Sequence, residues 1–275
     1  MKRNVWQKEW DDLNRKQETY ILKNSRPRSS QLARLQNYVP DGLQHTLDTA
    51  FVKAFQLIFE KGTGIIEKTY DKQKREDDYK IAEFTAGLRE NKKHVRAFRR
   101  QAGKYARRNL ILSAAEGVGL GLVGIGLPDI PLFVSMMLKN LYELSMSFGY
   151  AYDSAEERFF QLNVIETALY SGEEMRLRDE RINRICENMR GAKQGEQQNR
   201  PAGTLDDQIR RTAKALADEM LYAKFLQGMP IVGAVGGITD MTVLRRMTAY
   251  AMLKYRRRYL LDRDFLEESR EKHGY

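Results

Sequence analysis

Two aspartates stand where chemistry would be sought first. Asp129 closes the apolar run that starts at Gly117 (Gly-Val-Gly-Leu-Gly-Leu-Val-Gly-Ile-Gly-Leu-Pro), and Asp240 closes the run that starts at Met229 (Met-Pro-Ile-Val-Gly-Ala-Val-Gly-Gly-Ile-Thr). With Glu116 they border two glycine-rich segments. Carboxylates that face one cleft can divide acid and base duties between them. Glu116, Asp129 and Asp240 are therefore the cleft candidates for a hydrolase acting on a lipid or another apolar substrate. The simpler reading is that each aspartate caps the helix that follows, where its carboxylate accepts from free backbone N–H groups and suits the positive helix end. Pro131 fits such a first turn, which needs no donor.

Other chemistry finds little support. The glycine runs lack a Gly-Lys-Ser/Thr ending, and Gly117-Val-Gly119 does not follow a strand, so neither a phosphate loop nor a dinucleotide fingerprint is present. His45, His94 and His273 are isolated, with no zinc spacing. No Gly-x-Ser-x-Gly elbow occurs. Cys186, beside Ile185 in a helical run, reads as packing. No catalytic residue is assigned, no metal or cofactor is expected, and whether the chain is an enzyme stays open.

The strongest charge feature lies just before the first glycine run. Residues 89–108 hold nine Lys and Arg against one acidic residue, a surplus of eight within a net charge of +10. Arg89, Lys92, Lys93, Arg96, Arg99, Arg100, Lys104, Arg107 and Arg108 form a polar face opposite Val95, Phe98, Ala102 and Tyr105. A basic amphipathic helix of this kind can lie on anionic lipid or on nucleic-acid phosphates, or pair with acids elsewhere in the chain. Its position beside an apolar hairpin favours an anionic membrane surface over nucleic acid. Arg256-Arg-Arg258 is a second basic cluster that can share the role. Trp6 and Trp10 can anchor at a membrane interface or dock an N-terminal helix onto the core.

These groups need elements to hold them, and nearly every segment repeats at helical spacing. Trp6, Trp10 and Leu13 form a stripe, and Asn24–Ser30 a polar joint. Leu43, Leu47, Ala50, Phe51, Ala54, Leu57 and Ile58 make an apolar face. A helix runs from Ile130 to about Gly149. Ser154-Ala-Glu-Glu157 opens the next with a capping box, Ile182, Ile185 and Met189 mark another, and Thr204 caps one bearing Ile209, Ala213, Leu216 and Met220. Residues 191–204 have almost no apolar side chains and are expected to be a mobile loop. A long helix follows Asp240.

An offset of 111 residues superposes Gly126-Leu-Pro-Asp129 on Gly237-Ile-Thr-Asp240, which suggests two similar hairpins in pseudo-repeat. In each run the aspartate interrupts the ~18–20 apolar residues a bilayer span needs. The amino terminus has no apolar run of the kind that leads a secreted chain, and a single cysteine fits a reducing cytoplasm.

Several blocks together resemble the EcsC family of bacterial proteins. They are Trp6 and Trp10, Leu35-Gln-Asn-Tyr-Val-Pro40, Glu116-Gly-Val-Gly119 with Gly126-Leu-Pro-Asp-Ile-Pro131, Phe148-Gly149-Tyr150, Pro230-Ile-Val-Gly-Ala-Val-Gly-Gly237 with Asp240, and Arg256-Arg-Arg258. The resemblance implies an association with an ABC transporter or with secretion, because the family is named for a gene beside a transporter in an operon. It implies no catalytic residues. The expectation is an all-α protein of about eight to ten helices, with an N-terminal helix and joint over residues 1–30 and one helical domain over 31–270. It would sit in the cytoplasm, peripherally at the inner face of the cell membrane.

Overall fold

The computed structural model describes residues 5–24, 41–62, 66, 79–80, 129–193, 203–226 and 238–273, apart from some side chains at helix ends. The protein is all-α. The described residues form α1 (Val5–Lys23), α2 (Asp41–Leu57, continued by a π-helical turn over Ile58–Gly62), α3 (Asp129–Ser147), α4 (Ala155–Leu169), α5 (Gly172–Lys193), α6 (Leu205–Leu226) and α7 (Ile238–His273).

Local chemistry sets several of these boundaries. Ser154 Oγ accepts from the Glu157 backbone N–H at 3.1 Å and so caps α4. Glu157 does not return the bond, because its side chain turns inward to Arg258. At α6 the reciprocal box is complete: Asp207 N–H donates to Thr204 Oγ1, and Thr204 N–H donates to Asp207 Oδ2, both at 3.1 Å. α3 ends in a Schellman motif, in which Gly149 N–H reaches Met146 O at 2.9 Å and Tyr150 N–H reaches Ser145 O at 3.0 Å. Gly149 has φ +80° there, and the Tyr79 ring fills the space a side chain would need.

α4 lies at the centre, packed by α5, α6 and α7. Every residue from Phe159 to Leu169 is buried, so this helix has no solvent stripe. α6 also packs on α2, α2 on α3, and α7 on α1, α3, α4 and α5. One apolar cluster joins them, including Trp6 and Leu13 of α1, Phe51 and Phe55 of α2, Leu138 and Leu141 of α3, and Tyr250 and Tyr255 of α7.

Three expectations change. Leu57 is exposed, and Phe51, Phe55 and Phe59 at four-residue spacing set the inward face of α2. α5 runs on to Lys193 with Gly191 buried, so the first three residues of the expected loop are helical, and 194–202 lie outside the described residues. Asp129 and Asp240 are the first residue of α3 and the third of α7, so both fall inside a first helical turn rather than ahead of it. Residues 117–128 and 229–237 of the two glycine-rich runs lie outside the described residues, as does their pseudo-repeat. Among the described residues no helix is long and apolar enough to cross a membrane.

Candidate functional site

The most elaborate chemistry in the described residues is a buried ionic layer along α7. This helix carries Arg246, Tyr250 and Lys254 at four-residue spacing and then Tyr255, Arg256, Arg258 and Asp262. Four-residue steps put the first three on one face, toward α1, α5 and α6. Such residues would ordinarily be read as a solvated face, yet Lys254, Arg256 and Arg258 are all buried. Each is matched by an acid from another helix.

Arg258 sits at the junction of α3, α4 and α7. Its Nη1 donates to both carboxylate oxygens of Glu157, at 2.9 and 2.8 Å. The Tyr255 hydroxyl donates to the same carboxylate at 2.7 Å, and Gln161 Nε2 donates to Tyr255. The guanidinium lies 4.0 Å from the Tyr150 ring centroid and 4.6 Å from that of Phe160, which adds cation–π attraction in a dry setting. Burial opposes its charge, but the Glu157 carboxylate and the neighbouring phenols hold its proton more tightly than usual.

One turn away, Asp179 of α5 accepts from four groups: Lys254 Nζ at 2.5 Å, the Tyr250 hydroxyl at 2.6 Å, Gln17 Nε2 at 2.7 Å and Asn183 Nδ2 at 3.3 Å. Lys254 also donates to Asn183 Oδ1 at 2.8 Å. Arg256 closes the layer toward α1, bonding Glu9 Oε2 at 2.6 Å, the Glu9 carbonyl at 2.9 Å and Asp12 Oδ2 at 2.9 Å. Burial works against the Asp12 charge, but bonds from Lys16 and Arg256 outweigh it and hold its carboxyl below the usual range. Arg246 pairs with Glu219 at 3.0 Å.

Arg256-Arg-Arg258 is therefore not a second membrane-facing cluster. Two of its three cations neutralise interior carboxylates, and Arg257 lies over the Trp10 ring and pairs with Glu187 at 3.4 Å. Trp6 docks on the core beside Tyr259, under the Arg263 guanidinium. The sequence does hold a signal for this layer. Cations interleaved with Tyr250, Tyr255 and Tyr259 and with Ala251, Leu253 and Leu260 leave no uninterrupted polar face for solvent.

Beside this layer lies a cavity of about 360 Å³, lined among others by Tyr79, Lys80, Met146, Tyr150, Tyr152 and Asp153. The Tyr150 hydroxyl donates to Asp262 at 2.9 Å. Burial drives that phenol well above its ordinary value, so it stays protonated and is no base. Cys186 is buried, and its thiol is pushed up to about 11, which keeps it from acting as a nucleophile near neutrality. Among the described residues no group of His, Cys, Asp and Glu has the arrangement to hold a metal ion.

Of the residues singled out from the sequence, Arg89 to Arg108 and Glu116 lie outside the described residues. Asp129 and Asp240 are placed by backbone alone, on α3 and α7, which pack against each other.

The buried phenols have a consequence at high pH. Burial first of all drives Tyr20 and Tyr170 up to about 12, and Tyr250 and Tyr255 well above 10.0. In the native state these groups and the Cys186 thiol keep protons that the unfolded chain releases. Their contribution is complete below the unfolded values of 9.0 and 10.0 and is lost as pH rises from there through the folded values. Lys254 runs the other way, since burial lowers its value and the cost of holding its charge is relieved as pH rises toward the unfolded value of 10.5. The phenols and the thiol outnumber it. Urea midpoints are thus expected to hold from neutrality to about pH 9 and then fall steadily. Cys186→Ala should move the onset upward. A midpoint that rises above pH 9 would show that Lys254 dominates instead.

Comparison with known proteins adds one line of relatives. Residues 7–260 match the profile of the EcsC protein family. A curated relative, Protein EcsC of Bacillus subtilis (strain 168), is 42% identical over 62 residues, which is 22% of this chain and 26% of that protein. The chain thus aligns with about a quarter of the length of that relative. No solved structure matches.

Proposed function

The chain belongs to the EcsC protein family, and on that premise we propose that it docks peripherally on the anionic inner face of the cell membrane, through residues 89–108, and acts there alongside an ABC transporter. The observation that carries this reading is how unevenly cationic charge is distributed along the sequence. The basic run at 256–258 is consumed by Glu9, Asp12, Glu157 and Glu187. Residues 89–108 keep nine cations against one acid, and they account for most of the net charge of +10. Cations spaced opposite apolar residues in the sequence, next to an apolar glycine-rich run, suit an anionic lipid surface, which offers phosphates to the cations and a hydrocarbon boundary to the apolar residues.

Co-sedimentation with liposomes of graded anionic content tests it. Each cation near such a surface is worth about 1 kcal/mol. Replacing Arg99, Arg100, Arg107 and Arg108 by Gln should therefore weaken binding by roughly two to three orders of magnitude at low salt. No binding to any liposome overturns the reading. Binding that is indifferent to salt and to the four substitutions overturns the electrostatic mode and points to insertion of the apolar runs.

A further inference from the structure

We propose that the cavity at the α3–α4 connection binds a small zwitterion, with an ammonium group at one end and a phosphate or carboxylate at the other. Its volume of about 360 Å³ lies at the small end of the range for small-molecule sites, about 300–1,000 Å³. Two charged side chains line it, Lys80 and Asp153, one of each sign. Both residues are exposed, and among the described residues neither side chain forms a hydrogen bond or an ion pair. They border one space without neutralising each other.

The other walls are largely aromatic and already fixed. The Tyr79 ring lies against Gly149, whose φ of +80° and missing side chain make room for it. Tyr150 is held at three points. Its carbonyl accepts from Ser145 Oγ at 2.9 Å, its hydroxyl donates to Asp262 at 2.9 Å, and its ring carries the Arg258 guanidinium at 4.0 Å. Tyr152 stacks on Tyr142 with centroids 4.4 Å apart. A ligand therefore does not have to order these walls as it binds, which removes one cost of association.

The pair of charges selects the ligand. A simple cation gains from Asp153 and the rings but meets Lys80, and a simple anion meets the reverse. A zwitterion satisfies both. Aromatic rings attract an ammonium group, above all a quaternary one. Arg258 already occupies the Tyr150 ring, so Tyr79 and Tyr152 are the rings for the ligand's cation. The Lys80 ammonium is a compact point charge that suits the anionic end. The same chemistry occurs in soluble zwitterions and in the headgroups of zwitterionic lipids. The site uses none of residues 89–108 and does not depend on the membrane reading.

Calorimetric titration of the full chain tests it. The probes are phosphocholine, phosphoethanolamine and glycine betaine, with choline and inorganic phosphate as single-charge controls. At least one zwitterion should bind about tenfold or more tightly than either control. Lys80→Gln combined with Asp153→Asn should weaken that binding by about tenfold or more while leaving the urea midpoint in place, since both residues are exposed. Tyr79→Leu should cost a quaternary ammonium more than a primary one, a difference that charge attraction alone does not produce. A second arm uses vesicles of phosphatidylcholine alone, which offer residues 89–108 no anionic surface. Sedimentation with them that free phosphocholine displaces and the Lys80 and Asp153 substitutions abolish supports the site with a lipid headgroup. Binding of a free zwitterion with no vesicle response supports it with a soluble ligand. If no zwitterion binds more tightly than the controls, or if the double variant binds as wild type does, the site is overturned and the membrane reading is untouched.

Discussion

Arg258→Ala is expected to lower unfolding free energy by about 3–5 kcal/mol. The loss has two sources. Glu157, 3% exposed, keeps the Tyr255 hydroxyl but loses its only ion-pair partner among the described residues, and a lone buried carboxylate is strongly disfavoured. The side chain also leaves a void between the Tyr150 and Phe160 rings. Against a total stability of about 5–15 kcal/mol this is large enough to leave part of the protein unfolded near body temperature. Urea unfolding followed by helical circular dichroism measures it. The companion experiment pairs Glu157→Leu with Arg258→Met, which removes both charges and keeps apolar volume. That pair should regain most of the loss, because buried ion pairs are often no more stabilising than apolar replacements. A single variant that loses under about 1 kcal/mol would mean that water reaches Glu157 and that the pair is not a strut of the core.

The second large effect is expected at Asp179→Ala, again about 3–5 kcal/mol. Four donors lose their acceptor at once, including the fully buried Lys254 ammonium and the Tyr250 hydroxyl. The pH response separates this from a simple packing loss. Without the carboxylate, Lys254 keeps only the neutral Asn183 bond against its burial, and its value in the folded state drops further below 10.5. The unfolded chain then binds that proton more tightly than the native state, so stability of the variant rises with pH within that window. Wild type, in which the Asp179 carboxylate opposes that lowering, should gain less over the same window. Adding Lys254→Met to Asp179→Ala should recover much of the loss at neutral pH. If the double variant is as unstable as the single one, the charge on Lys254 is not the cause.

The helices were legible because their determinants are local. Ser154 and Thr204 announce helix starts by side-chain bonds to backbone three residues on. The faces at Ile182 and Ile185, and at Ile209, Ala213 and Leu216, come from 3.6-residue spacing and are buried in the structure. Cys186 is likewise buried, as its apolar neighbours suggested. The face expected on α2 is buried at Leu47, Phe51, Ala54 and Ile58 but not at Leu57, because Phe55 and Phe59, two residues away on either side, offer more area to bury.

The ionic layer was not legible in the same way. Periodicity assigns a charged residue to solvent, and only its partner can overrule that. The partners of Arg256 and Arg258 lie far away in the chain, Glu9 at a separation of 247 residues and Glu157 at 101. No spacing rule joins such residues. The sequence by itself determined an all-α chain, its main helix boundaries, the seclusion of its cysteine and the place where unbalanced cationic charge accumulates. Only the tertiary structure decided which cations are interior. A local pattern fixes a helix, but an ion survives burial only where packing brings an opposite charge to it.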